Sequence, residues 1–249
     1  VSREGGRWFV SFTCEVERQP GRPRFPDKVV GVDAGVKHLA VLSTAEVWPN
    51  PRALEKNLKR IARISRALAR RQKGSRRWWQ ARHRLARLHA RVRNLRQDAL
   101  HKLTHHLATT YGVVVVEQLH VAGMVQNRRL ARALTDAALA ELCRQLRYKC
   151  PWYGAVLVEA PPFYPSSKRC SQCGAVQPSL PLSQRIFRCG ACGLVLDRDA
   201  NAARNLAALA AAVAGSGPET ENARGQGGRP AVRQAALKEA GSRHRLIAG

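Results

Sequence analysis

Residues 170–205 read CSQCGAVQPSLPLSQRIFRCGACGLVLDRDANAARN. The pairs Cys170-x2-Cys173 and Cys189-x2-Cys192 stand fifteen residues apart, the spacing of four thiolates that close a tetrahedron around Zn²⁺. Gly174 and Gly193 follow each pair directly, which lets the backbone turn back and point amide N–H groups at the sulfurs. A four-cysteine zinc ribbon over residues 166–193 is the expectation. Beyond it, residues 194–196 form a short apolar strand, and Asp197-Arg198-Asp199 leads into an alanine-rich helix. An acid in the first turn of a helix is either a cap and dipole partner without chemistry or a member of an acidic site. For Asp199, the decision rests on the company it keeps upstream.

That company is two acids on apolar strands. KVVGVDAGV, residues 28–36, is a continuous strand interrupted by Asp33, whose carboxylate loses its hydration there unless cations or donors replace it. Residues 37–43 alternate and return as a hairpin partner, and residues 45–48 supply a third short strand. YGVVVVEQL, residues 111–119, is a second wholly apolar strand with Glu117 at its C-terminal edge, where ligand groups gather in a sheet covered on both faces. Residues 128–148 read as an amphipathic helix with Leu130, Leu134, Leu142 and Leu146 on one face. GAVLVE, residues 154–159, is a further strand whose Glu159 is a fourth acid or a solvent-facing strand end.

Charge narrows the partner. Lys and Arg number 43 against 17 Asp and Glu, a formal +26, which resists compaction unless a polyanion neutralises it. Residues 52–96 carry seventeen Lys or Arg and the single acid Glu55, on two helical stripes that meet at Lys73-Gly74-Ser75. With so few acids the usual i,i+4 ion pairs cannot form, and two antiparallel helices with arginines outward read as a phosphate-binding face. At the turn, Arg70, Arg71, Lys73, Arg76 and Arg77 are the candidate nucleic-acid contacts. Trp78 and Trp79 suit either stacking on bases or packing at the hairpin tip. No apolar run approaches the ~20 residues of a spanning helix, so no membrane partner is expected. Residues 1–5 are no signal peptide, and paired cysteines suit a reducing cytosol. Cys14, Cys143 and Cys150 are left over as small buried hydrophobes.

This order of elements suits an α/β fold, a mixed sheet flanked by helices, with an inserted helical hairpin over residues 52–109 and the inserted ribbon. Asp33, Glu117 and Asp199 then meet. Carboxylates brought together repel one another, and a pair of Mg²⁺ ions ~3.5–4 Å apart is their natural filler, the arrangement for in-line attack of water on a phosphodiester.

GVDAGVKHLAVLS (31–43), VVVVEQL (113–119), SSKRCSQCG (166–174) with the second cysteine pair, and DRDANAARNL (197–206) resemble, in that order, the motifs of transposon-encoded TnpB (OrfB) proteins. The resemblance implies a RuvC-like nuclease domain of ribonuclease H fold, split by a zinc ribbon and related to the type V CRISPR nucleases. It places the catalytic acids on Asp33, Glu117 and Asp199, with Asp197 as the near neighbour, and the zinc ligands on Cys170, Cys173, Cys189 and Cys192. It further implies a guide RNA and a DNA target as partners, and a prokaryotic cytoplasm, at the nucleoid, as location.

The resemblance divides the chain into residues 1–27 (the last strand of an N-terminal barrel plus a proline-rich linker), 28–165 and 194–213 (the nuclease domain) and 166–193 (the ribbon), and the glycines, prolines and unpaired charges of 214–249 read as a disordered basic tail with one weak helix at 231–239. Family members have an N-terminal half that holds guide and target, so the chain is expected to be truncated there. Two functional classes follow: a Mg²⁺-dependent endonuclease, RNA-guided in intact relatives, or a nucleic-acid-binding remnant.

Overall fold

A computed structural model describes residues 1–17, 19–181, 183–215 and 245–246. The chain opens with a hairpin of β1 (Ser2–Glu4) and β2 (Arg7–Ser11), joined at Gly5-Gly6, both in the left-handed region that a two-residue turn needs. Residues 8–16 mostly alternate apolar and polar, the pattern of a half-buried strand, yet the strand runs only as far as Ser11, and Cys14 beyond it is exposed rather than buried.

The five-stranded sheet is built on β3 (Phe25–Ala34). β4 (His38–Leu42) and β5 (Val47–Pro49) follow as an antiparallel meander. The chain then leaves as the basic hairpin, α1 (Ala53–Ala69) and α2 (Arg76–Thr110). It returns as β6 (Tyr111–Glu117), parallel to β3 on its other side. After α3 (Val121–Met124), α4 (Ala131–Ala137) and α5 (Leu139–Trp152), the strand β7 (Val156–Ala160) adds in parallel to β6. The order is β5-β4-β3-β6-β7, a mixed sheet.

The single helix expected over residues 128–148 is two. Ala138 takes a left-handed conformation, φ 54°, which ends α4 and starts α5 at an angle. Leu134, Leu142 and Leu146 are buried, whereas Leu130 falls before α4 and is exposed.

Strand parity decides everything near the site. Val30, Val32, Val114 and Val116 face a core made with Leu100, Leu103 and Leu107 of α2 and Leu142 and Leu146 of α5. The odd-numbered residues of β3 and β6 face the other way. There Val29, Val113 and Val115, with Val158 of β7, pack on Leu206 and Ala210 of α6 (Arg198–Gly215). Asp33 and Glu117 share that parity, so both belong to the α6 side.

Before α6, β8 (Ile186–Arg188) and β9 (Val195–Asp197) pair antiparallel as a ribbon around Phe187, and β9 runs directly into the helix. β10 (Arg245–Leu246) pairs antiparallel with β2, an extended segment where a disordered tail is expected. The helix expected at 231–239 lies outside the described residues.

Candidate functional site

Gly31 is the residue that lets the site form. A Cβ built there would lie 2.0 Å from the Ala203 carbonyl oxygen and 2.5 Å from the Ala207 nitrogen, so only glycine allows α6 to lie flat on β3. Two residues on, Asp33 follows on the same face. One residue beyond the Val32–Val116 pair, Glu117 stands on the neighbouring parallel strand. Asp199 begins the helix that crosses both. The three acids predicted from sequence are therefore brought to one edge of the sheet from residues 33, 117 and 199.

Their electrostatics register the approach. The Asp33 carboxyl is pushed up to about 8, first by burial, then by the charges of Asp199 and Glu117; Arg198 pulls it the other way. Burial also raises Glu117. The Arg198 guanidinium Nε lies 3.6 Å from the Asp199 carboxylate.

Asp197 takes the capping role. Its Oδ1 accepts from the N–H groups of Asp199 (2.9 Å) and Ala200 (3.2 Å), which satisfies two of the free donors of the first helical turn. Of the two readings of Asp199, the bland one belongs to its neighbour. Glu159 is not a fourth acid of this edge. It is registered against Val116, hence on the opposite face, and accepts from Arg147 at 2.8 and 3.2 Å.

The cysteines form the second cluster. The Sγ atoms of Cys170, Cys173, Cys189 and Cys192 all lie within 4.8 Å of one another. Cys170 to Cys192 is 3.6 Å and Cys173 to Cys189 is 3.5 Å. Four sulfurs ~2.3 Å from a common centre are separated by ~3.8 Å in a tetrahedron, so the donor set fits a tetrahedral soft-metal site.

Each half is a hairpin closed on itself. Cys170 N–H donates to Ala175 and Gly174 N–H to Cys170, while Cys189 N–H donates to Leu194 and Gly193 N–H to Cys189. Gly174 and Gly193 have φ of 77° and 76°. The N–H groups of Cys192 and Ala191 draw the Cys189 thiol down to about 6, the form a metal needs. At Cys192 the Leu194 N–H also lowers, but burial and hydrogen bonds with the other three thiols outweigh it and push the thiol up to about 12.

The arginines of the basic hairpin lie mostly outward, as expected: Arg60, Arg63, Arg84, Arg87 and Arg91 are all exposed, and Arg96 turns in toward Asp136. A groove of about 470 Å³ between α1 and α2 is lined by Arg60, Arg63, Arg71 and Arg84 over Ile64, Ala67 and Ala81. It adjoins one of about 350 Å³, where Arg87 and Arg91 join Arg60 and Arg84 over Leu88. Of the seventeen cations, Arg52, Arg93 and Arg96 meet a carboxylate, on Glu55, Glu4 and Asp136 respectively.

At the tip, Trp78 and Trp79 meet edge to face at 4.9 Å, with Arg82 over both rings. Trp78 is half-buried and Trp79 is 45% exposed, so the tip is partly packed and partly open. Arg71 donates to the Arg77 carbonyl across the turn; Arg70, Lys73, Arg76 and Arg77 are exposed.

Sequence reasoning passed over three residues that set this geometry. Gly31 had a signal, a glycine in a strand interior. Asp136 had none. Buried on α4, it accepts from the N–H groups of Leu54 and Glu55 at the start of α1 and from Arg96 Nε at 2.8 Å, and so caps the hairpin from outside. Asn205, buried at the middle of α6, likewise shows its role only in three dimensions.

Comparison with known proteins agrees with the mixed α/β fold. The solved structure titled "Cryo-EM structure of the Cas12f1-sgRNA-target DNA complex" superposes with a TM-score of 0.53 at 19% identity, covering 73% of this chain and 50% of that one, which establishes a shared mixed α/β fold. A family model described as "Probable transposase" (OrfB of the IS605 type) matches residues 11–128, and one for the "Cas12f1-like, TNB domain" matches residues 140–206. Over most of its length the chain is similar to the transposon-encoded TnpB (OrfB) proteins.

A protein of Streptomyces pristinaespiralis named "Putative RNA-guided DNA endonuclease" is 44% identical over 237 residues, covering 94% of this chain and 58% of the relative. The Escherichia coli K12 protein named "Putative RNA-guided DNA endonuclease InsQ" is 34% identical over 240 residues, covering 90% and 59%. The chain thus spans less than two thirds of the curated relatives it matches. No helix among the described residues is long and apolar enough to cross a membrane.

Proposed function

We propose that this chain carries the nuclease half of an RNA-guided DNA endonuclease, with a ribonuclease H-like (RuvC-type) domain that hydrolyses phosphodiester bonds with the help of Mg²⁺. The observation that carries the reading is the convergence of Asp33, Glu117 and Asp199 on one sheet edge, with the capping role left to Asp197. The family models that the chain matches, and the printed names of its relatives, support the same class of reaction.

Asp33, Glu117 and Asp199 would hold the magnesium. Three carboxylate oxygens are the hard donors this ion prefers, and burial together with two acidic neighbours disfavours the bare Asp33 carboxylate. When bound, a Mg²⁺ pair supplies an acidified water and neutralises charge on the phosphate. Asp33, on which the charges of both other acids act, would serve both ions, and Glu117 and Asp199 one each. The four cysteines would hold a structural Zn²⁺, which fixes the ribbon against α6.

DNA and RNA are retained by the hairpin. Arginines along the α1–α2 groove, together with Arg70, Arg71, Lys73, Arg76 and Arg77, offer phosphate contacts in a surface nearly free of acids. Trp79 offers an open ring for a base, and Trp78 supports it.

The test is Mg²⁺-dependent nicking of single-stranded DNA by the purified chain, with binding measured in parallel across salt. Nicking is expected with Mg²⁺ and none with chelator, and affinity should fall steeply between 50 and 200 mM salt, by ~10³–10⁵ if ~6–10 phosphates are contacted. Salt-sensitive binding without any metal-dependent nicking would favour the non-catalytic reading.

A further inference from the structure

Asn201 and Asn205 sit one turn apart on α6, 0% and 3% exposed. A buried primary amide is costly unless its donors and acceptor are satisfied, so where each spends its hydrogen bonds is informative. Both spend them on the segment that enters the first cysteine pair. Asn201 Nδ2 donates to the Arg169 carbonyl at 2.7 Å, and its Oδ1 accepts from Ser171 N–H at 3.0 Å, so one side chain grips the backbone on both sides of Cys170. Asn205 Nδ2 donates to the carbonyls of Ser166 at 2.7 Å and Arg169 at 2.6 Å. Tyr164 adds a bond from its hydroxyl to the Asn205 carbonyl at 3.3 Å.

The opposite side of the same helix carries the acid. At 3.6 residues per turn, positions two apart differ by ~200°, so Asp199 and Ala203 share one face while Asn201 and Asn205 share the other. Ala203 is the residue whose carbonyl meets Gly31. The helix is therefore held between β3 and the cysteine ribbon, and the asparagine contacts fix its rotation about its own axis. That angle matters. On a side-chain radius of ~5–6 Å, a rotation of ~20° moves a carboxylate by ~2 Å, as long as a Mg²⁺–oxygen bond of ~2.0–2.1 Å.

We infer that Asn201 and Asn205 are positioning residues through which the filled cysteine cluster holds Asp199 at the acid site, so that the state of the cysteines governs the nuclease. This rests on the nuclease reading above. The ribbon has few apolar groups of its own, Phe187 with Ala175, Leu180 and Leu194 about the cysteines, and a core that small depends on its metal for order. Losing the metal frees residues 166–171, the asparagines lose their partners, and Asp199 loses its bearing on Asp33. Thiol oxidation or chelation then silences cleavage without touching a carboxylate.

Two measurements on the full chain test this. In Mg²⁺-free buffer, stripping the cysteine metal from the wild type should raise amide hydrogen exchange across residues 199–203; Asn201→Ala and Asn205→Ala should show the raised exchange with the cysteine metal still bound. In Mg²⁺, the same variants should nick single-stranded DNA ~10–100-fold more slowly, with affinity for DNA unchanged. Asn205→Asp, equal in shape but without the donated bonds, should behave like the alanine variant and replaces it where alanine does not fold. The inference is overturned if chelation leaves exchange at 199–203 unchanged in the wild type, or if metal-loaded variants nick at the wild-type rate. A wild type that never nicks would remove the nuclease reading alone, because the exchange measurement still decides the coupling.

Discussion

Four sulfurs in the ribbon lie within 4.8 Å of one another, all from one short stretch of chain, whereas the three carboxylates at the sheet edge are drawn from residues 33, 117 and 199, with Asp33 pushed up to about 8. The difference lies in where the ligands come from. All four cysteines fall between residues 170 and 192, on two hairpins that close themselves by backbone hydrogen bonds around a glycine of positive φ. The acids come from two strands and a helix whose backbones are already committed to the sheet and its two cores. A local cluster is assembled by its own turns. A distributed one takes the spacing that packing allows, and the mutual repulsion of its charges is left for cations to offset.

The largest effect should follow from breaking the local cluster. Cys173→Ser removes one of four thiolates, and apparent binding energies of ~10–16 kcal/mol for structural zinc sites are also folding energies. Metal analysis should find the zinc gone, and the remaining ribbon thiols should become open to alkylation in the native protein. Retained metal with protected thiols would refute the tetrahedral site.

Breaking the distributed cluster should cost activity and spare the fold. Asp33→Ala should abolish Mg²⁺-dependent nicking and leave DNA binding equal or tighter, because one fewer carboxylate repels phosphate. Asp197→Ala should be milder: loss of the bonds to Asp199 and Ala200 removes a helix cap, typically ~1 kcal/mol. Equal loss of nicking in both variants would mean that the cap and the acid have been told apart wrongly.

Gly31→Ala tests how the two regions are joined. Its Cβ meets backbone at 2.0 Å, which no side-chain rotation relieves, so α6 must lift. Overpacking of this kind costs ~1–3 kcal/mol, and occasionally more. Thermal unfolding measures that cost, and nicking should fall further than stability alone explains, since the helix that lifts also carries Asp199.

Legibility followed the same division. The cysteine spacing and its glycines name the ribbon by themselves, because a metal knuckle is a short-range object. Apolar runs carrying Asp33 and Glu117 gave two strands and two site acids, and the acid that opens the helix after the ribbon gave Asp199. What the residues alone could not show was parity. That Glu159 faces away while Glu117 faces α6 depends on the register of β6 against β7. Asp136 capping a helix some eighty residues away, and Ala138 dividing one amphipathic stretch into α4 and α5, are tertiary outcomes without a local mark. The arginines lining the α1–α2 groove were visible as a charge run, but the groove they rim depends on how the two helices cross.

The smallest effect sharpens the comparison with a buried charge that belongs to neither cluster. Lys149 of α5 is 6% exposed and donates to Thr104 Oγ1 at 2.7 Å and to the His101 carbonyl at 3.0 Å, in the seam between α5 and α2. Burial lowers its ammonium from 10.5 to about 8, against the pull of Glu141. The folded chain therefore gives up this proton more readily than the unfolded one. Between pH 8 and 10.5 the unfolded state binds more protons, so this residue's contribution to stability rises with pH across that window and is constant below it, where both states hold the proton. Asp33, pushed up to about 8, titrates at the lower end of this window, but it does so in the wild type and in a Lys149 variant alike and cancels from their difference. Lys149→Met keeps the apolar stem and removes the titration, so the stability of the wild type relative to this variant, followed by denaturant unfolding, should climb from pH 8 to 10.5 and stay flat below 8. A difference that falls with rising pH would mean that Lys149 is held in the fold as a stabilised cation, with Glu141 outweighing burial.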